Sequence, residues 1–297
     1  MEIYDQFLKT KLQDFLIKES EEESGTRKQK ASFWPSESEK PLFDIYHAWI
    51  GTPPTNPIDA EKLVMFSAAK MMELALIGKL QKMGMVKKAV EQQRFEFERE
   101  GIIVTGYADG IFEDGSPIEV KTFYGDYQAK ELEAGRPKSA YLKQLAMYMD
   151  ALDQDRGKLV YLDRGTGGMY EFTLIREPET LKFKCMTVEF DLNDTYKKWA
   201  LFHKEHIEKE IEPSPFIDAG KYKEDISLID WSKVSKADIG AARNGYKVIG
   251  ENRGEHWKIL YSPYKDLWIE KQGQKLGYSE AELETIRAAT KGYSSKK

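Results

Sequence analysis

The chain has 297 residues, 41% hydrophobic and 32% charged, enough to bury a substantial core in one large domain or a core with an appendage. A net charge of −5 argues against a protein that coats nucleic acid nonspecifically, although a local basic groove is compatible with it. A single cysteine, Cys185, excludes an internal disulfide, and no apolar run reaches the roughly 18 residues of a membrane span. The opening Met-Glu-Ile-Tyr-Asp-Gln does not read as a signal peptide, so the expectation is a cytoplasmic protein without membrane contact.

Ile3, Phe7, Leu8, Leu12, Phe15 and Leu16 predict an amphipathic helix over residues 1–17, and the charged stretch 18–31 reads as a linker. Thr52-Pro-Pro-Thr-Asn-Pro57 is a loop leading into a long helix that begins near Asp59. Strands are expected at about 91–99, 102–112 and 116–123, then a helix from Arg136 with Pro137 near its first turn. Further strands follow at 158–162, 169–175 and 183–190, with Asp163–Gly168 as a hairpin turn and Cys185 as a buried thiol. His203 and His206, on a helix over Asp194–Glu210, read as a surface pair. This order predicts an α/β fold, a central mixed β-sheet flanked by helices. Residues 220–297 mix aromatic and basic side chains. There the pattern predicts a hairpin (257–262 with 267–270) and a helix capped by Ser279 with Glu282 three positions on, a small α+β appendage.

The chemistry concentrates in Gly106-Tyr-Ala-Asp109-Gly-Ile-Phe-Glu-Asp-Gly115-Ser-Pro-Ile-Glu119-Val-Lys121-Thr-Phe123. Alternation along a strand puts Glu119 and Lys121 on one face. A three-residue loop, Glu113-Asp114-Gly115, with Gly115 left-handed, pairs Phe112 with Ser116, Asp109 with Glu119 and Tyr107 with Lys121. A two-residue loop would set Asp109 opposite Val120 instead; the three-residue loop is preferred. Two opposed carboxylates with Cβ atoms about 5 Å apart need a proton or a cation between them. A hard ion with oxygen ligands, Mg²⁺ or Mn²⁺, fits that geometry. An ordinary amphipathic hairpin with solvated charges is the alternative for these three residues alone.

Glu73 shares a helical stripe with Phe66, Ala69, Leu76 and Leu80, where a carboxylate must be paired, bound to metal or turned out at the helix edge. Gln144 and Tyr148 lie one turn apart on a later helix. Taken together, a helical Glu, Gly-x-x-Asp, Pro-Ile-Glu-x-Lys and Gln-x-x-x-Tyr resemble the PD-(D/E)XK phosphodiesterase superfamily, and within it the RecB-type exonuclease branch that includes the CRISPR-associated nucleases. The similarity spans roughly residues 30–215, with Lys40–Gly51 resembling the approach to the first core helix and Glu212-Pro-Ser-Pro215 the exit.

The resemblance implies a restriction-endonuclease-like core in which Asp109, Glu119 and the Val120 carbonyl hold the metal, with Glu73 direct or through water. Lys121 would orient or activate the attacking water, and Gln144 and Tyr148 would position the DNA backbone and the lysine. Many relatives carry an iron–sulfur cluster on four cysteines; with Cys185 alone this chain has none. Met72 stands where the family's early histidine would be expected, and Ser67-Ala-Ala replaces its glycine.

The implied division is residues 1–31, an N-terminal helix and linker; 32–217, the nuclease core; and 218–297, a DNA- or partner-binding appendage. The implied function is a Mg²⁺- or Mn²⁺-dependent DNA exonuclease in recombination, repair or phage DNA processing. No helicase motif is present, so any unwinding would come from a partner; a helicase, recombinase or other DNA-processing protein is the expected class of partner beside DNA, single- or double-stranded. Candidate groove cations are Lys79, Lys82, Lys87, Lys88, Lys130, Arg136, Lys138 and Lys143. The alternatives are a structure-selective or sequence-specific endonuclease on the same core, and a nonhydrolytic nucleic-acid-binding module on a degenerated nuclease fold.

Overall fold

The computed structural model describes residues 7–25, 30–88, 93–215, 228–229, 248–249 and 256–290. Its helices are α1 (Phe7–Gly25), α2 (Leu42–Trp49), α3 (Ala60–Lys82), α4 (Asp126–Glu133), α5 (Ser139–Ala151), α6 (Leu192–Phe202), α7 (His256–Leu260), α8 (Lys265–Leu276) and α9 (Glu280–Thr290). Its strands are β1 (Gln93–Arg99), β2 (Ile102–Ala108), β3 (Gly110–Ile111), β4 (Pro117–Phe123), β5 (Arg156–Asp163), β6 (Met169–Arg176), β7 (Lys182–Cys185), β8 (Val188–Asp191), β9 (Leu228–Ile229) and β10 (Val248–Ile249). Among the described residues no helix is long and apolar enough to cross a membrane.

The chain divides into two compact units. One comprises Ala31–Glu39 and Phe66–Glu208, the other Met1–Lys30, Lys40–Met65 and Lys209–Lys297. This grouping cuts across the division at 31/32 and 217/218 suggested by the sequence. Residues 40–65 join the C-terminal stretch because α2 contributes Phe43 to the apolar cluster formed by α7, α8 and α9.

The first unit is the expected mixed sheet flanked by helices. Six strands run in the order β3-β4-β5-β6-β7-β8, with β4 and β5 parallel and every other pair antiparallel. The parallel pair requires a crossover, which α4 and α5 supply. Alternation along β4 divides its side chains. Ile118 and Val120 pack with Ile77 of α3, Val86 and Val160, with Leu76 and Leu80 at the cluster's edge. The opposite face, bearing Glu119 and Lys121, belongs to α5, which lies against β4 and β5. From Gln144 to Asp150 α5 is buried all round, with Leu145, Ala146, Met147 and Met149 fully enclosed, as a helix at the centre of a domain must be.

Three predicted elements differ locally. The run 102–112 breaks at Asp109: β2 pairs along its length with β1, and only β3 continues onto β4. The run 183–190 is a tight hairpin, β7 and β8, turning at Met186-Thr187 with Met186 at φ +53°, a turn that lacks the usual Gly or Asn signal. Helix α1 continues to Gly25, through half of the predicted linker. The expected hairpin turn at Asp163–Gly168 is present, with Asp163 accepting from Gly165 N and Thr166 Oγ1.

In the second unit the predicted hairpin 257–262/267–270 is helical instead. Leu260 closes α7, Tyr264 directly precedes α8 and Trp268 lies on α8; all three are buried and join Phe43, Ile259, Ile269, Leu283 and Ile286 in one core. Asp44 of α2 is buried within it and accepts from Ser262 Oγ and Trp268 Nε1, both at 2.7 Å. Helix α9 begins directly after Ser279, as its capping pattern predicts.

Candidate active site

The β3–β4 turn sets the site's register. Gly115 is left-handed at φ +93°, Gly115 N donates to Phe112 O, and Phe112 N donates to Ser116 O, both at 2.9 Å. Asp114 Oδ1 caps the turn by accepting from Ser116 N and Oγ, which holds its carboxyl below the usual range. Gly110 then pairs with Ile118 and Ile111 with Pro117, so the count places Asp109 opposite Glu119, the three-residue-loop register. Tyr107 does not pair with Lys121; its partner is Arg94 on β1. The ladder stops at Asp109, whose Oδ2 accepts the Val120 N–H at 2.8 Å in place of a main-chain carbonyl. That bond ties Asp109 to β4 beside Glu119.

Glu119 is 1% exposed, its Oε1 paired with the Lys121 ammonium and its Oε2 without a hydrogen-bond partner. Burial, and then the charge of Asp109, pushes its carboxyl up to about 8 despite the lysine. Burial would lower the Lys121 pKa, but Glu119, Asp109 and Tyr141 outweigh it and keep the ammonium charged. The same ammonium lies over the Tyr141 ring, 5.0 Å from its centroid. Glu73 is partly buried; burial and Asp109 raise its pKa, while Lys121 and Lys70 oppose. Lys70 Nζ stands 3.9 Å from both Glu73 Oε2 and Asp109 Oδ1. Phe66, expected on the same apolar stripe, is 55% exposed.

Helix α5 closes the site from the other side of β4. Gln144 Nε2 donates to Tyr148 Oη at 2.8 Å, and both side chains are buried. Burial first, then the nearby Glu119 charge, drives the Tyr148 pKa far up, so the phenol stays protonated. Gly106 explains the first position of Gly-x-x-Asp: a Cβ there would lie 3.0 Å from Tyr148 Cε1 and Pro35 Cγ and 3.1 Å from Phe95 Cε2.

The structure thus brings Asp109, Glu119, Lys121, Val120, Gln144 and Tyr148 to one place, with Glu73 at its edge. Two contributors escaped sequence reasoning, Lys70 and Tyr141. The signal was there: Lys70 is i−3 from Glu73, and Tyr141 is i−3 from Gln144 and i−7 from Tyr148, on one stripe of α5. Of the suggested groove cations, Arg136 is held by Glu131 through two 2.8 Å bonds and Lys143 by Glu39 at 3.0 Å. Lys79, Lys82, Lys87, Lys88, Lys130 and Lys138 are exposed. His203 faces Glu208 at 3.2 Å. Among the described residues no three His, Cys, Asp or Glu side chains close into a metal cluster, so Glu73 is not gathered with Asp109 and Glu119 into a cage.

Solved structures similar to this chain include that of SSO0001, at 19% identity and TM-score 0.44 over 67% of this chain and 87% of that one. Another is an alkaline exonuclease (LHK-Exo) from Laribacter hongkongensis, at 17% identity and TM-score 0.40 over 62% of this chain and 91% of that one. LHK-Exo in complex with dAMP matches at 17% identity and TM-score 0.36, over 61% and 90%. No family model and no curated protein matches the chain.

Proposed function

We propose that the chain is a metal-dependent DNA nuclease of the PD-(D/E)XK superfamily, RecB-type, acting as an exonuclease in DNA recombination, repair or phage DNA processing. The observation that carries this reading is Glu119: a fully buried carboxylate opposed to Asp109, with one oxygen on Lys121 and the other lacking any partner. A protein that used this hairpin only for structure would gain nothing from burying such a group.

The residues fit a divalent cation. The donors are all oxygen, the unpartnered Oε2 is a ready ligand, and burial together with the Asp109 charge raises the carboxyls of Glu119 and Glu73, a cost that a bound cation would offset. Asp109, Glu119 and the Val120 carbonyl would hold Mg²⁺ or Mn²⁺, with Glu73 acting through water. Once bound, the ion would lower the pKa of a water and polarise the phosphoryl oxygen.

The chain's own groups do the rest. Lys121, kept charged by Glu119, offers its ammonium to the attacking water and to charge developing on the phosphate. The Tyr141 ring fixes that ammonium from the α5 side. Tyr148 stays a neutral donor and Gln144 sets its hydroxyl, so both position the scissile backbone without adding charge.

The test is cleavage of linear duplex, single-stranded and circular DNA with Mg²⁺ or Mn²⁺, by wild type, Glu119→Gln and Lys121→Met. Both substitutions should lower the rate by at least ~10²-fold, and sparing of circles identifies an end-dependent enzyme. If wild type binds DNA but cuts none of the three with either metal, the nuclease reading is wrong.

A further inference from the structure

We infer that Trp34 and Tyr107 form a stacking subsite for the bases of a single-stranded DNA end, next to the proposed catalytic carboxylates; the assignment of DNA as ligand rests on the nuclease reading above. Phe33, Tyr148, Tyr161, Tyr196 and Trp199 of this unit are each at most 2% exposed, whereas Tyr124 and Tyr127 stand out singly at 74% and 79%. Trp34 and Tyr107 are 45% and 40% exposed, with ring centroids 6.4 Å apart and planes at 52°.

The pair is held in place from below. Phe33 N donates to Ile103 O and Phe33 O accepts from Thr105 N, both at 2.9 Å, so residue 33 is pinned to β2. The buried Phe33 ring stacks on Trp199 at 4.9 Å, and Trp34 N donates to Glu37 Oε2. The Trp34 ring, unlike that of Phe33, is exposed. Tyr107 sits in the β1–β2 ribbon, with Arg94 directly opposite on the same face. A platform whose backbone is already ordered loses little entropy on binding.

Location selects the ligand. Tyr107 precedes Asp109 by two residues, so their Cα atoms are within about 7 Å. A strand whose phosphate meets Asp109, Glu119 and Lys121 therefore brings a base within reach of the pair. The tilt lets that base stack on one ring and meet the other edge-on. Every base offers a π face, so the subsite is indifferent to sequence but needs unstacked bases, which a single strand supplies and an intact duplex does not. Arg94 is bound to Glu96 at 2.6 Å and would exchange that carboxylate for a backbone phosphate. Glu96 and Glu98 repel a strand along the rest of β1, which directs it from Trp34–Tyr107 towards Asp109.

The test uses the full chain without Mg²⁺ or Mn²⁺, with an oligothymidylate, an abasic strand of equal length and a blunt duplex as probes. Affinity and quenching of tryptophan fluorescence are read together. Trp34→Ala and Tyr107→Ala should each weaken oligothymidylate binding about tenfold, the scale of one lost base–aromatic stack. Trp34→Phe should keep most of the affinity while losing most of the quench, and the abasic strand should bind wild type and Trp34→Ala alike. The inference is overturned if Trp34→Ala binds oligothymidylate as wild type does, or loses as much affinity for the abasic strand. DNA cleavage with metal is measured in parallel. If wild type never cuts but the aromatic variants still lose base-dependent binding, the nuclease reading fails and the subsite stands. If wild type cuts while Trp34→Ala both binds and cuts normally, the subsite alone fails.

Discussion

Gly106→Ala offers a test in which the sign of the effect decides. Gly106 lies within β2 without a positive φ, so its backbone suits alanine. With open space the substitution would stabilise the strand by about 0.5–1 kcal/mol. Instead the new methyl would meet Tyr148 Cε1 and Pro35 Cγ at 3.0 Å and Phe95 Cε2 at 3.1 Å, against a normal carbon–carbon separation of about 3.5–4.0 Å. Three rings on different elements enclose the position, so one cannot yield without moving another. Overpacking of this kind costs about 1–3 kcal/mol, and about 2 kcal/mol lowers the melting temperature of a unit this size by roughly 4–8 °C. The displaced ring carries the hydroxyl that Gln144 sets, so cleavage should fall by about tenfold or more alongside the melting temperature. Thermal denaturation and initial rates on linear DNA read both effects. In a Tyr148→Leu background the cost of Gly106→Ala should shrink by at least about 0.5 kcal/mol. A Gly106→Ala protein that melts at or above the wild-type temperature would refute the close approach and the role assigned to this glycine.

Two further outcomes are expected. Burial, against hydrogen bonds from Trp268 and Ser262, raises the Asp44 carboxyl from 3.8 to about 6, so the folded chain binds a proton between those values that the unfolded chain releases. Stability therefore falls by about 2–3 kcal/mol as the pH rises from 4 to 6 on account of this group, and the Asp44→Asn protein should lack that component in urea titrations; identical pH slopes in both proteins would remove Asp44 as the cause. Mg²⁺ at about a hundredfold over its dissociation constant should stabilise wild type by about 2.7 kcal/mol, a rise of several degrees in melting temperature that a chelator reverses. Asp109→Asn and Glu119→Gln should abolish that rise, and a variant that keeps it would show that the ion binds elsewhere.

Local chemistry is legible in the amino-acid order. Gly115 can adopt the left-handed conformation at low cost, so the loop length, and with it the placement of Asp109 opposite Glu119, followed from the turn residues. Periodicity revealed α3, α5 and most strands, and their order implied a mixed sheet with helical flanks. Other features stayed hidden because their causes lie far away in sequence. The hairpin at Met186-Thr187 has no turn signal, and the continuation of α1 past residue 17 is not visible in apolar spacing. Leu260 and Trp268 lie on helices, with Tyr264 in the turn between them, in a core shared with Phe43 and Asp44, more than two hundred residues earlier.

Chain geometry over a few residues is enough to set the kind of group and its spacing: two carboxylates and a lysine on one hairpin, a glutamine and a tyrosine one turn apart. The energetics of those groups belong to the packing. The break of β2 at Asp109, the burial of Glu119 under α5 and the arrival of Lys70 and Tyr141 beside the carboxylates depend on which elements meet. Desolvation and charge proximity, which raise the Glu119 carboxyl, exist only once that packing has formed.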